Sequence, residues 1–133
     1  MNCAQLESAL RDLSESLGYS FSLLPANRIA EINKFPRAVL EPPTIAKVEG
    51  RGHGRISYNI HLHLMKRAAR LSAEERFELL NEMESDMLEI LTDLSESEQV
   101  IVVEDIGITP QEYALATHGE LSQSAQAKVV LYF

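Results

Sequence analysis

Residues 55–66, Arg-Ile-Ser-Tyr-Asn-Ile-His-Leu-His-Leu-Met-Lys, decide the fold. Ile56, Tyr58, Ile60, Leu62 and Leu64 alternate with Ser57, Asn59, His61, His63 and Met65. Successive side chains of a strand point to opposite faces, so a period of two over this length predicts a half-buried β-strand. Upstream, Thr44 to Glu49 leads into Gly50-Arg51-Gly52-His53-Gly54, whose glycines give the backbone the freedom a tight reversal needs. The two segments together predict a long β-hairpin across 44–66.

The next segment sets the layer above it. Ser72-Ala73-Glu74-Glu75 has the spacing of a capping box: the serine oxygen accepts from the third helical amide and the glutamate reaches back to the cap amide. A helix over 73–94 follows, with Phe77, Leu80, Met83, Met87, Leu91 and Leu94 as its buried stripe. Its length of ~30 Å suffices to cover several strands. Leu71 and Phe77 are placed to form a hydrophobic staple at its start.

Other elements are shorter. Leu6, Leu10, Leu13 and Leu17 recur at helical spacing and Gly18 is a natural stop, so 3–17 reads as a helix. Tyr19, Phe21 and Leu23 suggest a short strand ended by Pro25; Phe35 to Leu40 is another apolar stretch, stopped by Pro42 and Pro43. Residues 26–34 fit a helical turn or a loop. Val100 to Val103 begins a strand, and Thr109-Pro110-Gln111-Glu112 has a second capping-box pattern that suggests a short helix over 110–117, with an irregular arm as the alternative. The polar run 119–126 reads as a loop, and Lys128 to Phe133 as a final strand. The expected fold is α+β in a single domain, 1–133: a mainly antiparallel sheet of about four to six strands, covered on one face by the long helix and the N-terminal helix.

Charge is sorted along the chain. Arg28, Lys34, Arg37, Lys47, Arg51, Arg55, Lys66, Arg67 and Arg70 are opposed within 28–70 only by Glu31, Glu41 and Glu49. Residues 74–98 carry ten acids against Arg76 alone. Separate patches of opposite sign point to association, while a solvated acidic helix beside a basic loop is the plainer alternative. The overall charge of −8 argues against general nucleic-acid binding, which needs an excess of cations. The lone cysteine, Cys3, excludes an internal disulfide. No secretion signal and no membrane-length apolar run is seen.

Chemistry has few footholds. The glycines at 50, 52 and 54 have neither the spacing nor the following helix of a phosphate loop. There is no nucleophile elbow and no cysteine pair. Adjacent acids Glu104 and Asp105 point to opposite faces of a strand, so ion pairing or solvation suits them better than base catalysis. His61 and His63 share a strand face and are the candidates for a metal, with His53 and Asp105 as conceivable additions. Two visible ligands fall short of the three or four a site needs, so no metal is assigned and the pair is read as polar lining of the hairpin. No catalytic residue and no cofactor is assigned, and His118 is read as a loop residue.

The order of elements, carried by "FPRAVLEPP", "RGHGRISYNIHLHLMKR", "LSAEERFELLNEMESDMLEIL" and "AKVVLYF", resembles that of the phage tail-terminator and tail-completion proteins, small components of the head–tail neck. The likeness is one of pattern over nearly the whole chain, so no residue role is carried over. It implies a non-enzymatic virion component of a phage or prophage, an α/β unit joined head to tail in a ring, commonly a hexamer, with other tail or neck proteins as partners and no membrane. It also implies a cytoplasmic location during assembly and then the virion. The charge pattern independently suggests two contact surfaces for such a ring: Arg51, Arg55, Lys66, Arg67 and Arg70 on one subunit, and Glu78, Glu82, Asp86 and Glu89 on the next. Reversal of Arg67 and Arg70 to Glu is then expected to weaken assembly, and reversal of Glu82 and Glu89 to restore part of it. Two other function classes stay open: a small metal-dependent enzyme using His61 and His63, and a monomeric adaptor whose acidic helix binds a basic partner.

Overall fold

The computed structural model describes residues 1–50, 54–111, 114–116 and 118–132. Two helices, α1 (Cys3–Ser16) and α2 (Ala73–Ser95), accompany six strands: β1 (Ser20–Leu23), β2 (Arg37–Leu40), β3 (Thr44–Glu49), β4 (Arg55–Arg67), β5 (Val100–Pro110) and β6 (Glu120–Tyr132). A 3₁₀ helix, Ala26–Glu31, joins β1 to β2. All six strands form one sheet, five of them in the order β1-β2-β4-β6-β5 and β3 paired to β4 off that path. β1 and β2 are parallel and every other pairing is antiparallel. β4 carries the arrangement. One of its edges is paired along its whole length with β6, and the other is divided between β2, opposite 62–65, and β3, opposite 55–59. The fold is the expected α+β architecture.

Local chemistry accounts for the elements. Ser72 accepts from the Glu75 amide while the Glu75 side chain takes the Ser72 N–H, so the capping box closes and α2 starts where the sequence places it. α1 begins with an equivalent box, in which Asn2 and Gln5 exchange bonds, and Gly18 at φ 93° ends it in a conformation that suits glycine. The helices lie on one face of the sheet. Leu6, Leu10, Met83, Met87, Ile90, Leu91 and Leu94 pack there on Tyr58, Ile60, Leu62 and Leu64 of β4 and Ala125, Ala127, Val129 and Leu131 of β6. A smaller cluster covers one end of the opposite face, where Ile29, Ile32, Val39 and Ala116 surround Met65.

Three sequence expectations are corrected. Phe77 is not in the buried stripe but 65% exposed. The first two turns of α2, 73–78, are exposed all round, because the helix starts beyond the part of the sheet it covers. Residues 119–126 form no loop: β6 runs from Glu120, and Ser122, Gln123 and Ser124 are buried in it. No helix occupies the described part of 110–117. Pro110 instead ends β5 opposite Gln123, and Glu120 holds the following turn by accepting from the backbone N–H groups of Ala116 and His118. Among the described residues no helix is long and apolar enough to cross a membrane.

Candidate functional site: a histidine pair and a carboxylate on the open face of the sheet

The odd-numbered side chains of β4 face away from the helices. The register sets His63 opposite Val39 of β2 and Ser124 of β6, and His61 opposite Gln126. β2 ends at Leu40, but one more backbone bond, from the Glu41 N–H to the His61 carbonyl at 3.0 Å, keeps Glu41 level with His61. Pro42 and Pro43 then stop the pairing. Three neighbouring strands thus bring a carboxylate, two imidazoles and a hydroxyl into one row.

The contacts are short. Glu41 Oε2 lies 2.7 Å from His63 Nε2 and 2.7 Å from His61 Nδ1. His63 Nδ1 lies 2.6 Å from Ser124 Oγ. The imidazole ring centroids are 4.2 Å apart. His63 is buried, while His61 and Glu41 are partly open. Burial pushes the His63 pKa below the usual histidine value; the Glu41 hydrogen bond opposes this and the neighbouring His61 adds to it. In the neutral ring Nε2–H donates to the carboxylate and Nδ1 accepts the Ser124 hydroxyl proton, since the ionised carboxylate can only accept.

Beside the row lies a groove of about 450 Å³ lined by Glu41, Thr44, Asn59, His61, Gln126 and Lys128. Asp105 also lines it, at φ 54° within the irregular stretch of β5, and reaches Lys128 at 3.7 Å across the strands. Asp105 therefore stands near the row without joining it. His53 lies outside the described residues. The third member of the cluster is Glu41, which the sequence reading missed: its only linear signal is that it precedes a strand-ending Pro-Pro. Ser124, His63 and Glu41 have the connectivity of a hydrolytic relay. However, Ser124 is 4% exposed and does not line the groove, so its hydroxyl is not placed to attack a substrate there.

The charged residues expected to form subunit contacts are distributed differently from that expectation. Arg55 and Arg67 are the first and last residues of β4, about 40 Å apart along a 13-residue strand, so they do not belong to one patch. Lys66 is engaged within its own chain, 2.9 Å from Glu82 and 3.8 Å from Asp86. Asp86 also accepts the Tyr19 hydroxyl at 2.6 Å and is half-buried, so Asp86, Glu82 and Lys66 tie α2 to the sheet. Burial, helped by the hydrogen bond and charge of Asp86, raises the Tyr19 pKa far above that of a free phenol. Arg67 lies over the Phe35 ring, and Arg70 sits in the turn after β4 at φ 66°. Among the described residues, no ion pair engages Arg55, Arg67, Arg70, Glu78 or Glu89. Arg51 lies outside the described residues.

Comparison with protein-family models gives no match, and comparison with curated proteins gives none either.

Proposed function

We propose that this protein is a structural building block that joins copies of itself head to tail in a closed ring, the role implied by its resemblance to phage tail-terminator and tail-completion proteins. The observation that carries the reading is that the subunit leaves apolar side chains uncovered at opposite ends of β4. At one end stands β3, an edge strand whose six residues are all exposed. Its register sets Ile45 opposite Tyr58 and Val48 opposite Ile56, on the helix side of the sheet. Neither helix covers them, and they are 59% and 57% exposed. At the other end the overhanging start of α2 presents Phe77, with Leu88 three turns further on. An exposed apolar edge strand invites a partner unless it is covered.

Two unlike surfaces on one subunit make a heterologous contact, which forms a ring when the rotation closes. Charge complementarity favours a second copy as the occupant. Arg55 stands at the hairpin end, while Glu74, Glu75 and Glu78 share the first two turns of α2 with Phe77. The contact is therefore narrower than the sequence suggested, with Arg55 facing the start of α2 in place of the Lys66–Arg67–Arg70 cluster. Each such exposed ion pair contributes only ~0.2–1 kcal/mol, so apolar burial supplies most of the affinity and charge sets the register.

Light scattering across a concentration series tests this. The wild-type mass is expected to exceed that of a monomer and to fall on Val48→Asp. Arg55→Glu is expected to weaken assembly and Glu78→Arg to restore part of it in the same chain. Circular dichroism controls for folding. A monomer at every concentration, or an assembly indifferent to Val48→Asp, overturns the proposal.

A further inference from the structure

We infer that Glu41, His61 and His63 bind one divalent transition-metal ion, with zinc the best-suited probe. Each residue offers one ligand atom, and the three atoms lie within 4.8 Å of one another. Tetrahedral zinc with bonds of about 2.0–2.2 Å holds its ligand atoms roughly 3.3 Å apart. The 2.7 Å contacts from Glu41 to both rings thus need to open by only a fraction of an ångström. Two imidazoles and a carboxylate suit zinc, and also nickel or copper, better than magnesium or calcium, which prefer oxygen ligands throughout.

Two further features fit a metal ligand set better than a simple hydrogen-bonded clasp. A metal-bound imidazole normally gives its remaining N–H to a second partner that fixes the ring, and Ser124 Oγ stands 2.6 Å from His63 Nδ1 for that purpose. When the metal replaces the proton on Nε2, the ring proton moves to Nδ1 and the serine changes from donor to acceptor, a reversal a hydroxyl permits. Glu41 and His61 also line the groove. A fourth coordination position can therefore face solvent or a small ligand, as in zinc sites with three protein ligands. The ligands come from β4 and from the residue that follows β2, so the ion would fasten the end of β2 to the central strand without involving either surface proposed for assembly.

Titration of the full chain with zinc chloride, by calorimetry after chelator treatment and dialysis, tests the inference. The expected result is one ion per chain, with weaker binding and growing proton release at lower pH, where the ligands are protonated before the metal arrives. His61→Ala, at a partly exposed position, and Glu41→Gln are expected to abolish binding while far-ultraviolet circular dichroism stays unchanged. Ser124→Ala is expected to weaken binding about tenfold. If His63→Ala fails to fold, the His61 and Glu41 variants still decide. No heat above dilution at stoichiometric zinc, or equal binding by wild type, His61→Ala and Glu41→Gln, overturns the assignment.

Discussion

The two faces of β4 are built on different principles. Its even positions, Tyr58, Ile60, Leu62 and Leu64, lie under the helices in a continuous apolar layer. Its odd positions change along the strand, from the exposed Asn59 through the partly open His61 to the buried His63 and Met65. On the helix side burial is won by apolar contact. On the other side His63 is buried with hydrogen-bond partners supplied from either side of it, by Glu41 and by Ser124. An alternating sequence therefore marks one face as core without marking the other as solvent.

The largest test of this contrast is Leu62→Ala against Asn59→Ala. Leu62 is fully buried, and its truncation is expected to cost about 2–5 kcal/mol in denaturant unfolding. The exposed Asn59 is expected to stay within about 0.5 kcal/mol of wild type. Similar losses from the two would erase the distinction between the faces.

Next comes His63→Leu, which keeps volume but leaves the Glu41 carboxylate and the Ser124 hydroxyl without their shared partner. A loss of about 1–3 kcal/mol is expected at neutral pH. The pH profile sharpens the test. The folded pKa of His63 lies below its ordinary value of 6.5, so between the two the unfolded chain binds more protons than the folded one. The histidine's contribution is complete above about pH 6.5 and is lost as pH falls toward the folded value. Wild type is expected to lose stability more steeply than His63→Leu across that window, and parallel profiles would contradict a buried neutral ring.

The smallest effect is expected at Ser122. Its buried Oγ has no hydrogen-bond partner among the described residues. Ser122→Ala is expected to change stability by less than about 0.5 kcal/mol, or to raise it, because no bond is lost. A loss above 1 kcal/mol, roughly the worth of one hydrogen bond, would reveal a role for the hydroxyl.

What the sequence made legible follows from the same contrast. The 56–65 alternation and the Ser72–Glu75 box are local signals, and both led to the right element. The first half of β6 was hidden because Ser122, Gln123 and Ser124 are polar yet buried; only the strands beside them give a reason. Phe77 fits helical periodicity, but its exposure depends on where the sheet ends, which no short window contains. Glu41 could not be joined to His61 and His63 from the sequence. The pairing of β2 with β4 spans some twenty residues and its register is a tertiary fact. The division of the basic cluster had the same cause in reverse: neighbours in a charge count become opposite ends of an extended strand.

The Tyr19–Asp86 bond gives the molecule an optical gauge of its own integrity. The chain has no tryptophan and four tyrosines, so absorbance changes in strong base report on phenols alone. Because the folded state holds the Tyr19 phenol protonated far above its ordinary value of 10.0, raising the pH past that value draws stability from the native state. The phenolate of Tyr19 should emerge only as the helices separate from the sheet, making alkaline absorbance a dye-free clock for unfolding.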